Sequence, residues 1–559
     1  MSISWSSSSS RRWIAVVSAP FIALSGPAFV PSLSAASAAP PADPRPATIG
    51  AAWLTDELEN GVLVNRAFGF DYYDYGLTID AALALDAVGG QDAAVADITR
   101  AVEAGVDPYA TTAEYDYTDP ANPVFVKQGS YAGPMGKLLS LATSQGADVT
   151  DFGGLHLVRR MEALVLTKPL VLGRIHDNSS YGDFANVIGQ SWAARGLTAA
   201  GSPLADEVTG FLLDQQCSTG WFRLSFTKSK TGDQTCDGNT ASSPDTDATA
   251  LSVLALLEVA RTPGAATADV QAAIDSGVDW LVDQQGRSGA LGGGASTEAV
   301  NSNSTGLAGW VFGQVGRTGA ARKAAAWVRA RQADEVSPCD SRLSAETGAI
   351  AYDSTALRAG RAEGVPESAK DQWRRATTQA LPVLTWAPAG GTAQLTAPTG
   401  YVKGGSRPEV AVTGAAPGSS LCVVRGPRSW RIHAGRAGRA VVDVLMPNRT
   451  KTVTVSAKGA AGVLASATVD VLGPLSIKPR LAKSLLATGA RQTVRVSDLA
   501  PHEHVTVRYR GEVVERTTAG RLGNASATFA VGQRVGTFTV KVLGEFASIR
   551  RGSADFRVR

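Results

Sequence analysis

The chain has 559 residues, with 53 Lys and Arg against 50 Asp and Glu, four cysteines and a formal net charge of +3. Four cysteines are too few for a disulfide-built scaffold, and beyond the N-terminus no stretch reaches ~18 uncharged apolar residues, so no membrane span is expected. The small net charge hides a split: residues 392–559 hold 25 basic and 9 acidic residues, whereas residues 1–391 hold 28 and 41.

At the start, Arg11 and Arg12 precede a mostly apolar run from Trp13 to Val30, followed by Ala36-Ser37-Ala38. This is the pattern of a signal peptide over residues 1–38, cleaved after Ala38, with an ordinary export signal the better reading and a twin-arginine route left open. The Pro/Ala-rich residues 39–48 read as a disordered linker. The last residues, Phe556-Arg557-Val558-Arg559, carry no hydrophobic sorting tail. The expected location is extracellular, secreted or non-covalently associated with the cell envelope.

From residue 49 to 391 one short pattern recurs six times, a polar residue opening a small-residue apolar helix. The copies start at Asp80, Gly133, Asn186, Asp247, Asn303 and Asp353, 50 to 61 residues apart. A period of that length marks a unit that must stack on its neighbours to cover its apolar face. Each period holds a second helix, such as residues 205–216, 276–285 and 322–332. In the middle one Val278, Leu281 and Val282 oppose Asp275, Asp279 and Asp283, the stripe of a half-buried outer helix. Packed inner helices and half-wet outer helices, two per repeat, predict an (α6/α6) α/α toroid.

An aromatic residue, an apolar one, then Gln before a Gly turn recurs as Phe211-Leu212 with Gln216 and Gly220-Trp221. It recurs again as Trp280-Leu281 with Gln285 and Gly289, and as Trp327-Val328 with Gln332. This resembles the prenyltransferase and squalene-cyclase (squalene oxidase) repeat of terpenoid cyclase-like α/α toroids. The stretch Pro244–Leu256 is similar to the Asp-x-Asp-Asp-Thr-Ala acid motif of squalene–hopene cyclases. The resemblance spans roughly residues 45–390 and implies the fold. For chemistry it implies Asp247 as the catalytic proton donor, with Asp245 as the first acid; Ala248 stands where that family has a third acid.

Cys217 and Cys236 flank one loop and are the expected disulfide, while Cys339 and Cys422 are left unpaired by sequence reasoning. After Gly391 the helical period stops. Alternating runs at 408–413, 420–424, 440–444, 452–457 and 465–472 predict one immunoglobulin-like β-sandwich over residues 392–472. Runs at 493–496, 505–509, 525–531, 537–542 and 554–558 predict a second over 473–559. Their basic surplus points to envelope polyanions as partners; nucleic acid is not expected, because the arginines lack interleaved stacking aromatics.

Inner helices of a ring that share one direction bring their first turns to one mouth. Asp80, Asn186, Asp247, Asn303 and Asp353 are therefore expected both to cap helices and to offer polar groups there. Asp71, Tyr73, Tyr75, Tyr115, Tyr131, Tyr181, Trp221 and Tyr352 precede inner helices and complete a predicted site for a small molecule or glycan. A binding protein is the leading reading. Against cyclase chemistry, capping would keep Asp247 ionised, and the inner helices offer few aromatics beyond Trp192, Trp310 and Phe312. A glycan-cleaving reading would use an acid pair, Asp245 with Asp247 or Asp71 with Asp74. No cofactor or metal is expected, since His156 and His176 lie in no ligand spacing with cysteine. The loop Gly289–Gly294 reads as a turn. Oligomeric state is left open.

Overall fold

The computed structural model describes residues 41–559 apart from 68, 120 and 296. The expected signal peptide lies outside the described residues. Helices occupy the N-terminal part and strands the C-terminal part. In chain order the helices are α1 (Arg45–Asp56), α2 (Tyr75–Val88), α3 (Asp92–Ala104), α4 (Val106–Ala110), α5 (Ala132–Ser144), α6 (Leu157–Glu162) and α7 (Val187–Ala199). They continue as α8 (Ala205–Leu213), α9 (Thr246–Arg261), α10 (Ala268–Gln284), α11 (Ser302–Gln314), α12 (Thr318–Arg329), α13 (Ser354–Glu363) and α14 (Glu367–Ala380). Three short strands, β1 (Leu58–Glu59), β2 (Val62–Ala67) and β3 (Phe70–Tyr73), precede α2, and the hairpin of β4 (Thr111–Asp116) and β5 (Val124–Ser130) precedes α5.

Six helices contact one another in cyclic order: α2 with α5, then α7, α9, α11 and α14, which returns to α2. Their small residues permit the approach. A Cβ on Gly306 would stand 2.3 Å from the Ala380 Cα, and one on Gly136 would stand 2.9 Å from the Ala193 nitrogen. Outside them α3, α6, α8, α10 and α12 each pack on the preceding inner helix, and α1 packs on α2 and α14. The outer turns explain the recurring Gln. The Nε2 of Gln216 donates to Gly220 O and to Ala273 O on α10, and that of Gln285 to Gly289 O and Ala320 O on α12. Gln332 does the same to Gly348 O and to Pro46 O on α1, so the last repeat clasps the first helix. Gly348, at φ +107°, lies so close that a Cβ would sit 2.0 Å from Ile49 O.

Residues 41–48 are thus no disordered linker. The Asp43 nitrogen donates to Ala387 O at 2.7 Å, Asp43 pairs with Arg329 at 2.8 Å, and α1 begins at Arg45. The sixth repeat also differs from expectation. Asp353 caps α13, which packs on the short 3₁₀ turn Arg342–Glu346 outside the ring. The ring position belongs to α14, prolonged by the 3₁₀ turn Pro382–Trp386.

The first β domain has β6 (Gln394–Thr396), β7 (Tyr401–Lys403), β8 (Glu409–Thr413), β9 (Ser420–Arg425), β10 (Arg428–His433), β11 (Ala440–Asp443), β12 (Lys451–Gly459) and β13 (Gly462–Leu472). They form sheets ordered β10-β9-β12-β13-β7 and β11-β8-β6, around a core that includes Val410, Val412, Leu421, Val423, Val455 and Val471. The second has β14 (Leu475–Ser476), β15 (Arg480–Leu481), β16 (Leu485–Leu486), β17 (Arg491–Val496), β18 (His504–Tyr509), β19 (Glu512–Thr518), β20 (Ala525–Ala530), β21 (Gly536–Leu543) and β22 (Arg550–Val558). Its sheets run β14-β22-β21-β18-β19, with β16 also on β22, and β15-β17-β20, packed around Tyr509, Phe529 and Phe556.

Both disulfides are formed, Cys217–Cys236 as expected and Cys339–Cys422 across the junction of the helices with the first β domain. Beside the latter, the buried Glu335 carboxylate pairs with Arg361 at 3.1 Å and Arg431 at 2.6 Å. The two β domains meet where the Tyr401 hydroxyl donates to Pro501 O at 2.7 Å; beside it Arg550 pairs with Glu503 at 2.6 Å and donates to Gly473 O at the domain boundary at 2.9 Å. No helix among the described residues is long and apolar enough to cross a membrane.

Candidate functional site at the helix mouth

The inner helices start on a shared device. Asp74, Asn186, Asp245 and Asn301 cap α2, α7, α9 and α11, each accepting from the backbone N–H three residues on. Four residues past each cap, a side-chain oxygen accepts from the incoming segment: Thr78 from Leu63, Gln190 from Ile175, Thr249 from Phe222 and Thr305 from Leu291. Thr377 accepts from Ile350 in the same way, which places α14 in register although its helix starts earlier. For α5 the cap is borrowed: Asp177 accepts from the Ala132 nitrogen at 2.7 Å.

Counting six residues from each cap position gives Asp80, Lys137, Trp192, Leu251, Leu307 and Gln379. All six line one cavity of about 160 Å³, together with Leu83, Ala84, Ile188, Trp310 and Thr378. Equivalent residues of every inner helix therefore meet at one level, and later residues of α2, α7, α9 and α11 meet at another, as helices running in the same direction would bring them. Asp80 and Lys137 form an ion pair of 2.7 Å, and the Lys137 ammonium lies 5.6 Å from the Trp192 ring centroid. A second cavity, about 190 Å³, lies toward the other end, with Asp86, Arg195, Glu258, Arg261 and Gln314 in its wall.

Asp80, Asp247 and Asn303 are consequently not caps. Asp247 and Asn303 lie two residues past the caps, at equivalent places on the neighbouring helices α9 and α11. Burial raises the Asp247 pKa to about 6; the adjacent Asp245 charge pushes the same way, while the facing Ser304 hydroxyl opposes it. The expectation that capping would favour its ionised form fails, because Asp245 supplies the cap and Asp247 only the desolvated carboxylate. Tyr352 reaches this level: its carbonyl accepts from the Ser302 nitrogen at 2.8 Å, and burial with the Asp247 charge raises its phenol pKa.

None of the other expected aromatics is among the residues lining the cavity. Tyr73 is 59% exposed and stacks on Tyr75, which leans on Tyr109. Tyr115 meets Phe125 edge-on at 5.8 Å, and the Tyr181 hydroxyl bonds to both the nitrogen and the carbonyl of Tyr115. Tyr131 donates to Glu114 at 3.2 Å. That carboxylate also accepts from the Ser180 nitrogen at 2.6 Å, and although burial opposes ionisation, its hydrogen bonds hold its pKa at about 2. Glu114 and Asp177, which sequence reasoning did not single out, thus clamp the β4–β5 hairpin and residues 177–186 onto α5. Trp221 belongs to the outer turn of the Cys217–Cys236 loop, its carbonyl accepting from the Cys217 nitrogen. Asp71 pairs with Arg66, and Asp74 caps α2 while pairing with Arg375, so neither is a free acid. Among the described residues, no group of three or more His, Cys, Asp or Glu is placed to hold a metal ion.

No protein-family model and no curated protein matches the chain. Among solved structures, a protein from Actinoplanes is similar at 19% identity and TM-score 0.40, over 62% of this chain and all of that one (100%). The type II terpene cyclase MstE from Scytonema is similar at 14% identity and TM-score 0.40, over 61% of this chain and 96% of the cyclase. FdeC, an Escherichia coli adhesin, is similar at 14% identity and TM-score 0.24, over 31% of this chain and 65% of the adhesin. Likeness at this level assigns the chain to no family.

Proposed function

We propose that the chain is a secreted or envelope-associated binding protein, built as a closed α/α toroid whose mouth end takes up a small molecule or glycan. Two immunoglobulin-like domains carry the toroid, and their surplus of 25 basic over 9 acidic residues contacts envelope polyanions. The observation that supports binding is the cavity wall, in which six equivalent helix positions supply an ion pair, an amide, a tryptophan and two leucines. A few convergent polar groups on an apolar ground are the composition of a recognition pocket. Its volume, about 160 Å³, compares with the roughly 150 Å³ cavity that holds benzene, and falls well below the ~300–1,000 Å³ of sites for larger ligands. A polyprene does not fit it.

Incubating the full chain with envelope extract and identifying retained molecules by mass spectrometry tests this reading. One compound retained near one per chain, and lost on Trp310→Ala, is expected. Retention of nothing, or of the same compounds by Trp310→Ala, would remove it. A second reading, an acid-catalysing enzyme, draws on Asp247, whose pKa of about 6 suits a proton donor better than an ordinary carboxylate does. It requires product formation that Asp247→Asn abolishes.

A further inference from the structure

Unused hydrogen-bonding capacity gathers one helical turn before the cavity residues Leu251 and Leu307. Asp247 Oδ1 and Asn303 Oδ1 are shielded from solvent and have no hydrogen-bond partner among the described residues, and the shielded Ser304 Oγ accepts from none of them. Asn303 commits its Nδ2 to Gln379 Oε1 at 2.7 Å, and Ser304 is fully buried with its hydroxyl toward Asp247. The glycine-rich loop presses down on this level. A Cβ on Gly294 would stand 2.0 Å from Asp245 Oδ2, and one on Gly293 would stand 3.0 Å from Ser304 Oγ. One level deeper, two residues of the cavity wall, Trp310 and Thr378, also leave a polar atom unpaired. Each such buried group costs roughly 1–3 kcal/mol unless something meets it.

We propose that the throat seats the ammonium group of a small primary amine, which donates to Asp247, Asn303 and Ser304 while its apolar stem lies in the cavity between Trp192 and Trp310. This rests on the binding reading above and names its ligand class. An ammonium carries three N–H donors and no acceptor, which matches three acceptors around one carboxylate. Divalent cations ask for more oxygens than these three. A neutral hydroxyl would leave the buried carboxylate without a counter-charge. Asp247 is ionised at pH 8, above its pKa of about 6, and so supplies that charge. Asp80 and Lys137 neutralise each other and do not compete for the amine. The volume limits the stem to about the size of benzene, or roughly six heavy atoms.

Calorimetry on the full chain at pH 8 with n-pentylammonium, 1-pentanol and tetramethylammonium tests the proposal. Pentylammonium is expected to bind about tenfold or more tightly than pentanol, and tetramethylammonium, which has no N–H, not to bind. Asp247→Asn should erase the preference, and Asn303→Leu should weaken pentylammonium alone; Ser304→Ala serves if Asp247→Asn does not fold. Equal affinity for pentylammonium and pentanol, tetramethylammonium binding as well as pentylammonium, or an unchanged preference in Asp247→Asn overturns the ammonium seat. Pentanol binding would then still leave a ligand cavity. Binding of none of the three, with nothing retained from extract, removes the binding reading as well.

Discussion

The outer turns at Gln216 and Gln285 treat polar side chains oppositely to the throat, while the turn at Gln332, whose Oε1 is buried and unpaired among the described residues, stands between the two. Gln216 and Gln285 spend their Nε2 groups on two backbone carbonyls each, joining one repeat to the next outer helix. At the throat Asp247 and Asn303 each keep a buried oxygen unpaired, and Ser304 Oγ accepts from no group among the described residues. Polar groups that hold a fold together are paired within it; groups kept unpaired at a measurable cost mark a place where the protein is not optimised for stability alone. Substitutions at the two places should therefore separate stability from binding.

The largest effect is expected at the ring closure. Gly348→Ala must place a Cβ 2.0 Å from Ile49 O at φ +107°, and should cost about 3 kcal/mol or more, read as a lower midpoint in urea unfolding. Gln285→Ala comes next. It removes one hydrogen bond each from the carbonyls of Gly289 and Ala320 and should cost about 2 kcal/mol, with ligand uptake per folded molecule unchanged. If it removed uptake without loss of stability, the division between turns and throat would be wrong.

Asp247→Asn should have the smallest effect on stability at neutral pH, and its sign should reverse. The folded-state pKa of about 6 lies above the ordinary 3.8, so the folded chain holds this proton more tightly than the unfolded one. The stabilisation from protonation is complete below pH ~3.8 and is lost as pH rises through about 6, while Asp245 and Tyr352 stand beside the titrating group. Asp247→Asn should flatten that fall and leave the protein as stable as the parent, or more so by about 1 kcal/mol, at pH 7. A substituted protein whose stability still falls between pH 4 and 6 as steeply as the parent's would place the titration elsewhere.

Some of this was legible in the residues and some was not, for reasons that can be named. All ten predicted strand runs correspond to strands, because alternation is strong where one face is buried. Of the strands missed, β6, β7, β14, β15 and β16 are only two or three residues long, and β10 and β19 are sheet edges whose Arg428, Arg431, Glu512 and Glu515 blur the alternation. Asn186 is the cap its position suggested, whereas Asp247 and Asn303 lie two residues past the caps of their helices and Asp80 six. The phase is set by the buried Thr78, Thr249, Thr305 and Thr377, a signal that was present in the chain. The sixth helix escaped because Ser354–Glu363 carries a good Asp cap, whereas α14 is polar. Its buried Arg374 pairs with Glu57 at the end of α1, a partner more than three hundred residues away in the chain that no local pattern reveals. The Cys339–Cys422 bridge is hidden for the same reason, joining two domains.

The most direct test is a crystal structure of the full chain grown at pH 8 with n-pentylammonium. The amine nitrogen should lie within ~3.2 Å of Asp247 Oδ1 and Asn303 Oδ1, with its stem between Trp192 and Trp310. A throat in which Asp247 and Asn303 are bonded only to ordered water, with the cavity closed over by its own side chains, would contradict the account.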